Sequence, residues 1–244
     1  MIRPIWPGFE ELKHIVIFGD SYSDIGYDRR APHPHADNPL GVDFPGFTLC
    51  CRYDEAADTY IHEPNWVGHV IDLVKAEPSA FSPLIYDFAI GINDCVWNVR
   101  TNASVNDSID QLWSLQQQLY DVGASIFCFV DVPPICDYPG HRASPKLRSA
   151  VLNWSKALRE MGSRFSTEHE DATVLLWSSW AFFSRILTNP TTYGFLEDDA
   201  HEVEGGILVD GLHSTTRVHR LIAEELLALL RSGGSSAENL SVDV

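Results

Sequence analysis

Three short polar clusters hold the residues of this chain best suited to making and breaking bonds: Gly19-Asp20-Ser21, Gly91-Ile92-Asn93-Asp94 and Asp210-Gly211-Leu212-His213. A serine hydroxyl such as that of Ser21 is a weak nucleophile until a base takes its proton. His213 suits that task, because an imidazole with an ordinary pKa of about 6.5 exchanges protons near neutrality. Asp210, three residues earlier, can reach the other ring nitrogen across one loop turn and fix the tautomer. Charge building on an attacked carbonyl oxygen needs preorganised donors, for which the Ser21 N–H, the Gly91 N–H and the Asn93 amide are candidates. Glycine fits there because a side chain would block the carbonyl's approach. Together these parts perform acyl transfer through a covalent serine intermediate. Singly, each cluster is also ordinary turn and capping chemistry. No G-x-S-x-G sequence occurs, which argues against a nucleophile elbow.

The elements around the clusters place them. His14 to Phe18, Leu84 to Ile90, Ala124 to Val132 and Thr173 to Trp177 read as buried strands. Helical spacing is predicted from Pro64 through Val74, from Ile109 to Tyr120 with Gly123 as stop, from Leu147 to Met161 closed by Gly162, and over about Thr215 to Arg231. Residues 28–63 are rich in Pro, Asp and Gly and show no period. Strands alternating with helices predict an α/β domain with a mainly parallel sheet covered on both faces. Ligands of such sheets bind at the strands' carboxyl ends, where two of the clusters stand; the third lies just before the last helix. One domain over residues 1–232 is predicted, with 233–244 as a flexible tail.

Composition narrows the classes of function. Hydrophobic residues at 45% and charged residues at 21% exclude a disordered chain, a coiled coil and a collagen-like repeat. The 17 Lys and Arg against 34 Asp and Glu leave a net charge of −17, which repels nucleic acid and anionic membranes and favours a neutral or cationic substrate. No apolar run approaches the roughly 18 residues of a membrane span. No secretory signal is visible at the N-terminus, which makes an intracellular location the default and the sequons at Asn102, Asn106, Asn153 and Asn239 chance occurrences. The cysteines at 50, 51, 95, 128 and 136 form no CxxC pair, and Cys128 reads as core. No metal or organic cofactor is implied. His33 and His35 read as solvated loop residues, His219 as surface, and Glu197, Asp198, Asp199, Glu202 and Glu204 as a solvated loop. Trp66, Trp113 and Trp154 fit a core; Trp97 and Tyr193-Gly194-Phe195 stand near the expected site loops.

Phe18-Gly19-Asp20-Ser21-Tyr22-Ser23-Asp24, Pro64-Asn65-Trp66-Val67, Tyr86-Asp87-Phe88-Ala89-Ile90-Gly91, Gly91-Ile92-Asn93-Asp94, Val132-Pro133-Pro134 and Asp210-Gly211-Leu212-His213 follow one another in order along nearly the whole chain. So do Trp6-Pro7-Gly8-Phe9 and Asn38-Pro39-Leu40-Gly41 near its start. In these stretches the chain resembles the SGNH, or GDSL, hydrolases, and within them the fungal esterase branch that includes acetylesterases acting on carbohydrates. The resemblance implies an SGNH-type, flavodoxin-like three-layer α/β sandwich. It implies Ser21 as nucleophile, Asp210 and His213 as its partners, an oxyanion hole from Ser21, Gly91 and Asn93, and Asp20 and Asp94 as turn-holding residues. It also implies cleavage of short acyl groups, acetyl above all, from carbohydrate or similar esters; family members are often secreted, and a monomer is expected. In the family a helix and a strand separate the Tyr-Asp-Phe-Ala-Ile-Gly block from the Gly-x-Asn-Asp block. Here the two fuse at Ile90-Gly91-Ile92, as if roughly 30 residues were missing. Four strands are therefore expected where the family has five. Two alternatives stand beside an acetylesterase: a lipase or thioesterase for longer acyl groups, and a remnant with a damaged oxyanion hole.

Overall fold

The computed structural model describes residues 6–12, 14–30, 32–75, 84–141 and 144–233. The expected tail, apart from Gly233, lies outside them. In chain order the elements are β1 (His14–Gly19), the hairpin β2 (Cys51–Asp54) and β3 (Thr59–His62), α1 (Trp66–Lys75), β4 (Leu84–Ala89), α2 (Ile92–Thr101), α3 (Val105–Asp121), β5 (Ile126–Val130), α4 (Pro145–Glu168), β6 (Thr173–Trp177), α5 (Ser179–Thr188) and α6 (Thr216–Ser232). Among the described residues the main sheet has four strands in the order β1-β4-β5-β6, all parallel. The α/β alternation expected from the sequence is what the chain forms.

Burial explains the strand order. Every residue of β5 is buried, as an inner parallel strand covered on both faces requires. In β1 residues 15–17 are only half-buried and Phe18 and Gly19 are exposed, in keeping with its place at the sheet's edge. Helix α1 packs on α6, while α2 and α3 pack on α4. Trp66 and Trp154 are buried and Trp113 partly so, as a core role demands, whereas Trp97 is 62% exposed. All five cysteines are free thiols, with Cys128 in the core.

Several elements depart from their expected form. Helix α4 runs through Gly162 to Glu168 instead of closing there. A Cβ at 162 would meet Val174 Cγ1 at 3.4 Å, an ordinary contact, so nothing in the packing or the backbone stops the helix at this glycine. Residues 51–62, within the stretch read as irregular, pair as an antiparallel hairpin. Helices α2 and α5 follow strands without a loop; α5 is capped by Ser178, whose hydroxyl accepts the Ala181 N–H and donates to the buried Asp131. Asp199 is also no solvated acid. It is buried and accepts the N–H groups of Leu196 and Gly206, closing the loop it was expected only to decorate.

Candidate active site

The site begins where β1 ends. A Cβ on Gly19 would fall 2.3 Å from that of Ser23, so only glycine lets the chain turn back this sharply. The turn is closed by the Ser23 N–H on the Asp20 carbonyl (2.9 Å) and by the Tyr22 N–H on Asp20 Oδ1 (3.1 Å). Asp20 thus holds the turn, as its expected structural role requires. Burial pushes its carboxyl above the usual range, against the Tyr22 N–H and the nearby His213, which favour the charged form. The Ser23 hydroxyl accepts the Trp66 indole N–H (3.0 Å), which ties the turn to α1.

The opposing loop is built around Asp210. Its Oδ1 accepts the N–H groups of Leu212 and His213, both at 2.7 Å, and its Oδ2 lies 2.8 Å from His213 Nδ1. Burial works against the charge on Asp210, yet these hydrogen bonds hold its carboxyl below the ordinary range. An ionised carboxylate only accepts, so Nδ1 carries the ring proton and Nε2 presents a lone pair. That nitrogen stands 3.0 Å from Ser21 Oγ. The hydroxyl, the imidazole and the carboxylate therefore form one continuous relay between residues 192 positions apart in sequence. A loop ladder keeps the histidine in place, with Val209 N–H on the His213 carbonyl and Thr215 N–H on the Ile207 carbonyl.

Gly91 and Asn93 reach the same end of the sheet but join the relay through no hydrogen bond. Gly19 and Ala89 are register partners, so the Ser21 turn and the start of α2 leave β1 and β4 side by side. Asn93 is exposed in the first turn of α2. Gly91 is buried at φ +130, its carbonyl accepts the Cys95 N–H, and a Cβ there would fall 2.3 Å from the Trp154 ring. The close contact with Trp154 is thus a reason for glycine at 91 that has nothing to do with substrate.

Residues 15–226 match the GDSL-like lipase/acylhydrolase family. The chain belongs to that family. This GDSL hydrolase is an ester hydrolase, as the motifs led us to expect. It is also similar to an acetylesterase of Thermothelomyces thermophilus, at 24% identity over 91% of this chain and 89% of the relative. That alignment runs over 270 positions against 244 residues here, so the relative holds chain where this one has gaps.

Two residues packed behind the relay were not read from the sequence as lying there. His219, expected at the surface, is 1% exposed and its ring stacks edge-on to Tyr22 at 5.5 Å. Its position was legible, since 219 shares a face of α6 with Ile222, Ala223, Leu226 and Leu230. Burial and the nearby His69 and His213 push its pKa down to about 3, so it stays neutral. Tyr22 is buried beside Ser21, and the sequence signal for it is a bulky aromatic inside a polar turn. No helix among the described residues is long and apolar enough to cross a membrane.

Proposed function

We propose that this hydrolase removes short acyl groups, acetyl above all, from carbohydrate or similar neutral esters through an acyl-enzyme on Ser21. The observation that carries the mechanism is the unbroken chain from Ser21 Oγ to His213 Nε2 at 3.0 Å and from His213 Nδ1 to Asp210 Oδ2 at 2.8 Å. His213 takes the hydroxyl proton as Oγ bonds to the ester carbonyl carbon. The N–H groups of Ser21 and Gly91 and the Asn93 amide hold the oxyanion, while Asp210 stabilises the imidazolium. The C–O bond to the alcohol breaks and the alcohol leaves with the proton from Nε2. Water then gives its proton to His213 and its oxygen to the acyl carbon, releasing the carboxylic acid and restoring Ser21. The relative named acetylesterase supports a short acyl group. Trp97, exposed one helical turn beyond Asn93 on α2, supports a ring-bearing alcohol such as a sugar.

We further propose that residues 1–232 form one domain acting as a monomer, and that it lacks one strand–helix unit of the family at Ile90-Gly91-Ile92. Three features support the missing unit: β1 at the sheet's edge, α1 packed on α6 apart from the helices on α4, and the longer aligned relative. The test is hydrolysis of aryl esters from acetyl to dodecanoyl by purified protein and by Ser21→Ala. The expected result is a rate highest on acetyl and abolished in the variant. A maximum at long chains would replace the acetylesterase reading with a lipase or thioesterase. No hydrolysis on any chain length would mark the oxyanion hole as damaged.

A further inference from the structure

Besides the relay itself, the Tyr22 side chain joins the nucleophile's turn directly to the base's loop. The Tyr22 hydroxyl donates to the Leu212 carbonyl at 2.6 Å, so the residue after Ser21 is bound to the residue before His213. Leu212 is fixed from both ends, because its N–H is already taken by Asp210 Oδ1. The Tyr22 ring is held in turn. It packs edge-on to the buried His219 at 5.5 Å and lies 6.2 Å from His213 and 6.4 Å from Phe183; its hydroxyl stands 3.4 Å from that of the buried Tyr138.

The two links between the loops behave differently during turnover. Once Ser21 Oγ carries an acyl group it has no proton to give, and the Ser21–His213 hydrogen bond is gone. His213 must nevertheless stay within reach of the acyl carbon to activate water. The Tyr22–Leu212 bond involves no reacting atom and persists. We propose that Tyr22 is a positioning residue, whose hydroxyl on the Leu212 carbonyl holds the Ser21 turn and the His213 loop in register while the enzyme is acylated. Burial raises the phenol above its ordinary range, so the donor keeps its proton wherever His213 can act as a base. This inference rests on the acyl-transfer reading above.

The test compares the parent with Tyr22→Phe, and with 4-fluorophenylalanine at position 22, which keeps the hydroxyl's size without its proton. Rates on an aryl acetate are expressed per active site titrated with a fluorophosphonate, so that any loss of folded protein drops out. The expected result is a fall in kcat of about tenfold or more, since small misplacements of a base are costly. KM should stay within about twofold, and deacylation measured in single turnover should slow by the same factor as kcat. Replacement by 4-aminophenylalanine, whose N–H can still donate to Leu212, should restore most of the rate. Tyr120→Phe removes a hydroxyl bound to Asp171, just before β6 at the other end of the sheet, and should leave kcat unchanged. A kcat per titrated site within twofold of the parent in both loss variants would overturn the proposal, as would a loss that 4-aminophenylalanine fails to restore. A parent that hydrolyses nothing and takes up no probe would overturn the acyl-transfer reading, and the positioning role with it.

Discussion

Asp210 does two separable jobs with its two oxygens. Oδ1 holds the loop through the N–H groups of Leu212 and His213, and Oδ2 holds the tautomer of His213. Asp210→Asn keeps an oxygen for the first job but offers the ring an amide or the wrong partner in the second. The side chain is 52% exposed, so the fold has little to lose. We expect kcat to fall by roughly 10²–10⁴ while Tm moves by no more than a few degrees, measured by steady-state kinetics and thermal melting. Asn93 has the opposite profile of evidence, being exposed and bound to nothing in the relay. If its amide meets the oxyanion, Asn93→Ala should lower kcat by roughly 10²–10³ with little change in KM. A matching rise in KM at constant kcat would instead assign Asn93 to ground-state binding.

At the scale of elements, the junction between β4 and α2 carries the most consequence. Gly91 turns the chain at φ +130 directly against Trp154 of α4. Gly91→Ala combines backbone strain with a collision against a ring in the core, roughly 2–5 kcal/mol together. Thermal melting should show a loss on the order of 5–20 °C. Helices α1, α3 and α6 were legible because each buries a stripe whose period the sequence displays, and β1, β4, β5 and β6 because each is a short, largely apolar run in the sequence. The Ser21, Asp210 and His213 trio was legible from residue chemistry and spacing at strand and helix ends. Helices α2 and α5 were harder to read, because their first turns carry Asn93-Asp94 and Ser178-Ser179, residues equally at home in loops. The β2–β3 hairpin buries little, with Tyr53 and Tyr60 stacked but exposed, so it leaves no core pattern. Gly162 misled as a helix stop because it takes ordinary helical backbone there, and the apolar stripe of α4 continues past it to Phe165. The strand order, with α1 set apart on α6, depends on contacts between distant segments and is invisible to any local reading.

The whole molecule carries a net charge of −17, and His219 lies buried under its relay. The charge fits an enzyme that takes a neutral ester and releases an acid, since the ionised product is repelled as it forms. His219 makes stability depend on pH in a defined direction. Its folded pKa of about 3 lies below the ordinary value of about 6.5. As pH falls from 6.5 towards 3, the unfolded chain takes a proton that the folded protein refuses, so stability is lost across that window. Burial also lowers His69, and hydrogen bonds lower Asp210, which add slopes of the same sign, while the raised carboxyls of Asp20 and Asp131 oppose them, so comparison with a variant is what isolates His219. His219→Phe should lose less Tm than the parent between pH 6.5 and 4; an identical loss would place the acid sensitivity elsewhere. The central claim, that the 3.0 Å contact between Ser21 and His213 makes this serine a nucleophile, is tested most directly by covalent capture. Folded protein treated with a fluorophosphonate and mapped by mass spectrometry should carry one adduct, on Ser21, formed at least about 100-fold more slowly in His213→Ala. Absence of that adduct, or its formation at the same rate without His213, would contradict the account.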